Sequence, residues 1–276
     1  MTDHYAVMGN PIAHSKSPRI HTLFAEQTEQ ALDYRAIRVD EGSFPQAVSE
    51  FRNEGGKGLN ITVPFKLEAW QLATELSERA RLANAVNTLL LRDDNTLLGD
   101  NTDGVGLLAD LRDNYQIELK GARILVLGAG GAVRGVLAPL LSANPAAIVV
   151  ANRTASRAIE LAEGFAQLGT ISGCGFDQID ERPFDLIING TSASLQGDVP
   201  PIPASAIAKE GWCYDMMYGA EPTAFIQWAT EQGATHCADG LGMLVEQAAE
   251  SFLLWRGVKP ATQPIIELLR HELSNS

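Results

Sequence analysis

The sequence predicts an α/β protein of two domains, the second built on a mostly parallel sheet. Three observations carry this. The chain has 276 residues, and length divided by roughly 150 gives a first count of domains. Its N-terminal part alternates short apolar runs with amphipathic ones, the pattern of strands and helices stacked in layers. Further on, Arg123–Leu127 reads as a buried strand that runs directly into Gly128-Ala129-Gly130-Gly131 and then into a helix, the opening of a βαβ unit.

Taken in order, Tyr5–Met8 reads as a strand ended by the turn signal Gly9-Asn10-Pro11. Ser17-Pro18 reads as N-cap and first position of a helix with Ile20, Leu23 and Phe24 on one face. Tyr34–Val39 is expected as a strand, Phe44–Phe51 as a helix, and Gly58–Val63 as a strand stopped by Pro64. Val86–Leu91 and Thr96–Gly99 flank Asp93-Asp94-Asn95 as a hairpin. Val105–Leu111 is helical in pattern. After the glycines a helix carries Val136, Leu137, Leu140 and Leu141, followed by the strand Ala147–Ala151 and the helix Ser156–Phe165. Phe184–Ile188 and Trp212–Met216 read as later strands, and Leu241–Trp255 and Gln263–Leu273 as closing helices. The nucleotide-type domain is therefore expected over 104–238, and the first domain over 1–103, completed by the helices of 239–276.

Composition narrows the classes. Apolar residues make up 45% and charged residues 20%, ordinary globular values. The net charge of −13 makes the chain a poor binder of nucleic acid or anionic membranes. Any positive charge at an anion site must then be local. Three cysteines, an odd number without a CxxC, fit reduced thiols in a cytoplasmic protein better than a disulfide framework. Met1-Thr2-Asp3-His4 has no basic stretch followed by an apolar run, so no signal peptide is expected, and no apolar stretch reaches the roughly 20 residues of a membrane span. The histidines are scattered without ligand spacing, so no metal is expected. Monomer and homodimer both remain open.

The glycine turn has a chemical reading. Gly128 can make the tight turn, Gly130 lets a pyrophosphate approach the backbone, and Gly131 and Ala132 begin a helix whose free N–H groups favour an anion. The sixth position of the GxGxxG pattern is Val133 rather than Gly or Ala, so the strand–turn–helix context carries the assignment. The second strand ends in Asn152-Arg153-Thr154. An NAD site usually places Asp or Glu here for the ribose 2′-hydroxyl. This chain offers Arg153 instead, with Arg157 one turn later, and guanidinium suits a 2′-phosphate. NADP is the expected cofactor.

Outside that domain, Ser15 and Ser17 place two hydroxyls beside a helix start, which suits a carboxylate, although Ser17 alone also reads as a cap. Asn60 and Thr62 share one strand face, and Lys66 lies just past the strand. Asn87 and Asp103 stand in short polar stretches. Singly these are ordinary turn and surface residues. Together, the order and wording resemble the shikimate dehydrogenase family nearly end to end. The likeness covers Asn10-Pro11-Ile12 with the serine pair, Asn60–Lys66, Asn87, Asn101–Gly104, Gly128–Arg134, Asn152–Thr154, Asn189–Ser192, Tyr214–Tyr218 and Asp239–Gln247. The Asn60–Lys66 and Gly240–Gln247 segments are its most specific parts.

The resemblance implies NADPH-dependent reduction of 3-dehydroshikimate to shikimate, on the route to aromatic amino acids. It implies that Lys66 and Asp103 are the catalytic pair, that Ser15, Ser17 and Tyr218 hold a carboxylate, and that Asn60, Thr62, Asn87 and Gln247 surround ring hydroxyls. Gly128, Ala129, Gly130, Gly131, Ala132, Asn152, Arg153, Thr154, Arg157, Thr191 and Ser192 would hold the cofactor, with Met216, Gly240 and Met243 near its nicotinamide. Two departures stand out: Gly190 in place of the usual alanine before Thr191-Ser192, and Ala224 where proline is common. Neither is expected to change the reaction. A quinate/shikimate dehydrogenase of relaxed cofactor use, and a non-catalytic nucleotide-binding regulator, are the alternatives. Fold analogy alone would also admit a folate dehydrogenase.

Overall fold

A computed structural model describes residues 2–275, without the side chains of Leu195 and Gln196. The chain divides into two compact units, 1–106 with 245–265, and 107–244 with 266–276.

The first unit runs β1 (Asp3–Gly9), α1 (Ser17–Gln27), β2 (Leu32–Arg38), α2 (Phe44–Asn53), β3 (Gly56–Ile61), α3 (Lys66–Leu72), β4 (Glu75–Leu76), α4 (Glu78–Ala83), β5 (Thr88–Leu91) and β6 (Leu97–Asp100). Helix α5 (Asp103–Ala109) carries the chain on into the second unit. The sheet order is β2-β1-β3-β5-β6-β4. β1 pairs in parallel with β2 and β3, and the expected hairpin β5–β6 is antiparallel. Ala6, Met8, Leu59, Ile61, Phe44 and Phe65 fill one core of this unit, while Tyr5, Val7, Tyr34 and Trp255 pack in another. The alternation along β1 sends neighbouring side chains into different layers.

The sequence placed an N-cap at Ser17. The cap is Lys16, without a side-chain cap bond, and Ser17 is the first helical residue. The Ser17 N–H bonds Ser15 Oγ at 3.3 Å. The cap reading of Ser17 is therefore corrected: Lys16 holds the cap position, and the Ser17 hydroxyl meets the Tyr34 phenol.

The second unit runs β7 (Arg123–Leu127), α6 (Gly131–Ser142), β8 (Ala147–Asn152), α7 (Ala155–Glu163), β9 (Ile171–Gly175), β10 (Phe184–Asn189), β11 (Ile207–Asp215), α8 (Ala224–Glu231) and β12 (His236–Asp239). Helix α9 (Leu241–Arg256) crosses into the first unit, and α10 (Gln263–Ser274) lies mostly in the second. The sheet order is β12-β11-β10-β7-β8-β9, every pair parallel. Numbered within the unit, this is the doubly wound order 3-2-1-4-5-6. Its central strands are buried on both faces: Ile124 to Leu127 and Leu186 to Ile188 are all 0% exposed, as apolar parallel strands demand. Among the described residues no helix is long and apolar enough to cross a membrane.

Candidate active site

In the first unit, chain order scatters the polar residues and the fold gathers them. Lys66 opens α3 just beyond β3, and Asp103 opens α5 just beyond β6. Lys66 Nζ donates to Asp103 Oδ2 at 2.5 Å, with side chains 27% and 12% exposed. The other Asp103 oxygen accepts from Asn87 Nδ2 at 2.8 Å. The same amide donates to Gln247 Oε1 at 3.3 Å, which brings α9 into the cluster. Lys66, Asp103, Asn87 and Gln247 thus form one connected group, with an amine that has both an acid partner and partial access to solvent.

Thr102 and Ser251, which sequence reading missed, brace this group. Asn87 Oδ1 accepts from the Thr102 N–H at 2.8 Å and from Thr88 Oγ1 at 2.9 Å. Ser251 Oγ, fully buried, lies 2.8 Å from Thr88 Oγ1 and 3.2 Å from Thr102 Oγ1. Short hydroxyls carry no periodicity signal, and only the tertiary fold brings them together. Their bonds leave the Asn87 amide a single orientation, with its N–H groups turned to Asp103 and Gln247.

Asn60 sits behind this group. It is 6% exposed. Its Oδ1 accepts from Tyr34 Oη at 2.7 Å and from His21 Nε2 at 3.1 Å. Its Nδ2 donates to Ser251 Oγ at 3.0 Å and Thr88 Oγ1 at 3.2 Å. The Tyr34 phenol also meets the Ser17 hydroxyl, and burial raises its pKa well above the ordinary value. Thr62 is partly exposed, and its methyl packs toward Gly9. Ser15 is partly exposed beside Ser17.

In the second unit, the loops at the carboxyl ends of β7 and β10 adjoin at the point where strand order reverses, the usual ligand position of this fold. Gly128 has φ +107°, and a Cβ there would lie 3.2 Å from Thr191 Cγ2. Only glycine suits that backbone at low cost. Gly130 caps α6, and Cβ atoms at Gly130 and Gly131 would meet open space. Ala129 is partly exposed and Ala132 exposed. The first N–H groups of α6 lack intrahelical partners, so this end of the helix presents donors to solvent.

Asn152 Nδ2 bonds the Thr154 carbonyl at 3.0 Å and holds the turn after β8. Arg153, Thr154 and Arg157 are exposed, and among the described residues no ion pair engages either arginine. A helix N-terminus with open space before it, and two uncommitted guanidinium groups at the next strand end, fit a dinucleotide that carries an extra phosphate.

A buried polar knot missed by sequence reading shapes the neighbouring loops. Asp215, 0% exposed, accepts from Ser194 Oγ at 2.7 Å, Thr223 Oγ1 at 2.6 Å, Asn189 Nδ2 at 3.2 Å and the Met217 N–H at 3.0 Å. Asn189 Oδ1 accepts from Thr191 Oγ1 at 2.7 Å. The loop of Thr191 and Ser192 and the loop of Met216–Tyr218 are therefore tied to one carboxylate. Gly240 N–H bonds the Met217 carbonyl at 3.0 Å, and a Cβ at 240 would run into the Met216 backbone. Met216 and Met243 are each 8% exposed. Burial, with Asp239 nearby, raises the Tyr218 pKa, so its phenol is a neutral donor.

Three family models match successive stretches of the chain. The model described as the shikimate dehydrogenase substrate binding domain matches residues 7–89. The shikimate/quinate 5-dehydrogenase model matches 110–196, and the shikimate 5'-dehydrogenase C-terminal domain matches 240–270. The shikimate dehydrogenase (NADP(+)) of Methylococcus capsulatus is 57% identical over 98% of this chain and 97% of its own. That of Marinobacter nauticus is 58% identical over 97% of this chain and 98% of its own. The crystal structure of shikimate 5-dehydrogenase from Thermus thermophilus in complex with NADP(H) and shikimate superposes with a TM-score of 0.86 at 34% identity, over 99% of this chain and 100% of that one.

Proposed function

The chain belongs to the shikimate dehydrogenase family, and from that premise we propose that it catalyses the reversible NADPH-dependent reduction of 3-dehydroshikimate to shikimate. The observation that carries the reading in this molecule is the connected group Lys66–Asp103–Asn87–Gln247.

Reduction of a ketone needs a hydride at carbon and a proton at oxygen. NADPH supplies the hydride when bound. The remaining tasks fall to side chains. Lys66 Nζ donates a proton to the carbonyl oxygen in reduction and takes it back from the hydroxyl in oxidation. Asp103 holds the ammonium through Oδ2 and is itself oriented by Asn87, so the donor needs little rearrangement during the reaction. Asn87 and Gln247 lie around the ring hydroxyls in this reading, Asn87 with its N–H groups already bonded to Asp103 and Gln247. Thr62 follows directly on the end of β3 and is partly exposed, while the polar atoms of Asn60 on β3 are engaged by internal partners. In this reading Asn60 therefore acts by setting the positions of Ser251 and Thr88. Ser15, Ser17 and Tyr218 supply neutral donors for the carboxylate.

For the cofactor, Gly128, Ala129, Gly130, Gly131 and Ala132 take the pyrophosphate at the start of α6. Asn152, Arg153, Thr154 and Arg157 take the 2′-phosphate, Thr191 and Ser192 line the opposite loop, and Met216, Gly240 and Met243 take the nicotinamide end. Three free cysteines and the net charge of −13 support a cytoplasmic protein without a nucleic-acid partner.

The test is absorbance at the reduced-nicotinamide band with shikimate plus NADP, then with NAD, then with quinate in place of shikimate. Turnover of shikimate with a strong preference for NADP is expected. Equal use of quinate and NAD would support the relaxed quinate/shikimate enzyme, and no turnover with any pair would support the regulator.

A further inference from the structure

β11 and β12 pair so that Cys213 lies directly opposite Cys237. Neighbouring strands run about 4.8 Å apart, inside the window of roughly 4.4–6.8 Å between α-carbons that a disulfide spans. Opposed residues of a sheet point to one face, and both side chains join the apolar cluster that Phe225 and Ala229 of α8 complete. Both are free thiols.

Their surroundings differ. Cys213 is 0% exposed. Cys237 is partly exposed and lines a cavity of about 290 Å³ with Glu221, Pro222, Ile226 and Arg270. Thr230 Oγ1 of α8 lies 3.9 Å from Cys237 Sγ. A hydrogen bond from the Cys213 thiol, with help from Thr230, lowers the Cys237 pKa. The same hydrogen bond, together with burial, raises that of Cys213. One sulfur is thus reachable and the more acidic of the two, and the other is a thiol held behind it.

We propose that Cys213 and Cys237 form an oxidisable dithiol, in which a hydroperoxide entering the cavity oxidises Cys237 and Cys213 closes an intrachain disulfide. With hydrogen peroxide, the Cys237 sulfur attacks one oxygen, the O–O bond breaks, and the sulfur becomes a sulfenic acid while hydroxide leaves. The Cys213 sulfur then attacks the Cys237 sulfur. The S–O bond breaks, the S–S bond forms, and the Cys213 proton leaves with the hydroxyl as water. Two thiols lose two electrons and the peroxide is reduced to water. Cys174 is an internal control: it lies on β9, at the opposite edge of the sheet from β12.

The experiment exposes the full chain to hydrogen peroxide, alkylates remaining thiols under denaturing conditions, and maps the peptides by mass spectrometry. The expected product is lighter by about 2 Da before alkylation, the mass of two hydrogens. It carries a Cys213–Cys237 linked peptide, leaves Cys174 alkylated, and returns to three alkylated thiols after dithiothreitol. The link should persist in Cys174→Ala and vanish in Cys237→Ala, a substitution at a partly exposed site. Three alkylatable thiols after peroxide, a sulfinic acid at Cys237 with Cys213 still alkylatable, or a link through Cys174 or between chains would each overturn the proposal.

Discussion

Lys66 and Asp103 are 37 positions apart in the chain, and the fold sets Lys66 Nζ 2.5 Å from Asp103 Oδ2. Each residue opens a helix just after a strand, so both side chains emerge at strand ends of one sheet. The pair is neither deeply buried nor fully hydrated. That suits a group which must pass a proton rather than only stabilise the fold.

Lys66→Met should therefore lower kcat by about 10²-fold or more, the ordinary scale for a positioned acid–base group, while KM changes less. Asp103→Asn should also lower kcat, because the amide no longer pairs with the ammonium. Steady-state kinetics on both variants, with thermal melts to verify folding, make the check. Near-normal turnover in a folded Lys66→Met would remove the lysine from the mechanism.

What the sequence shows and what it hides follow from physics. β7 is legible because a strand buried on both faces must be apolar throughout, and the glycines after it punctuate the chain. β9, Ile171-Ser172-Gly173-Cys174-Gly175, is not legible as a strand. Its glycines depress strand propensity, yet Gly173 is required, since a Cβ there would strike the Ala158 backbone of α7. β12, His236-Cys237-Ala238-Asp239, is short and mixed in polarity and escapes notice for the same kind of reason. The Lys66, Asp103, Asn87 and Gln247 positions are marked by the family resemblance. Ser251, which meets Thr88 across 163 positions, has no local pattern to announce it.

Ser17 separates two readings. Because Lys16 holds the cap position, Ser17→Ala should leave the start of α1 intact and raise KM for shikimate by about 10–100-fold, the worth of a hydrogen bond to a charged group. Its contact with Tyr34 should add a modest loss of melting temperature. Ser15→Ala should raise KM likewise. An unchanged KM with only a lower melting temperature would make Ser17 structural.

His21 should leave a mark on the pH dependence of stability. Burial lowers its pKa from 6.5 to about 3, and Nε2–H donates to Asn60 from a ring stacked on Tyr34 at 4.3 Å. Between these two pKa values the unfolded chain binds a proton that the folded one refuses. Stability from this residue is thus complete above about pH 6.5 and is lost as pH falls toward 3. From pH 7 to 5 the loss should be about 2 kcal/mol, and His21→Phe should remove that slope. Urea unfolding at both pH values tests it; parallel curves for the two proteins would mean that His21 protonates in the fold.

The departure at Gly190 has a partner. A Cβ at 190 would lie 2.5 Å from Val133 Cγ2 and 3.1 Å from Met216 Sδ, so the valine in the sixth fingerprint position fills the space an alanine would need. Gly190→Ala should cost about 1–3 kcal/mol by overpacking. Combined with Val133→Ala, it should cost clearly less than the sum of the two single changes. Additive unfolding free energies would show that the two sites are independent.

Cofactor choice rests on the turn after β8. Asn152-Arg153-Thr154 has no carboxylate for a ribose diol, and Arg153 and Arg157 are exposed and free of ion pairs among the described residues. The attraction of these two exposed cations for a 2′-phosphate is screened by ions, so added salt should weaken NADP binding. A charge-assisted hydrogen bond is worth roughly 1.5–3 kcal/mol. Arg153→Ala should therefore reduce kcat/KM for NADP by about 10–100-fold. NAD lacks the phosphate and should be hardly affected, so the preference ratio should fall by a similar factor. Arg157→Ala, one turn further along α7, should give a smaller change in the same direction. The measurement is kcat/KM for both cofactors in the wild type and both variants. If Arg153→Ala impairs NADP and NAD equally, the arginine serves the structure of the turn and the source of NADP selectivity lies elsewhere.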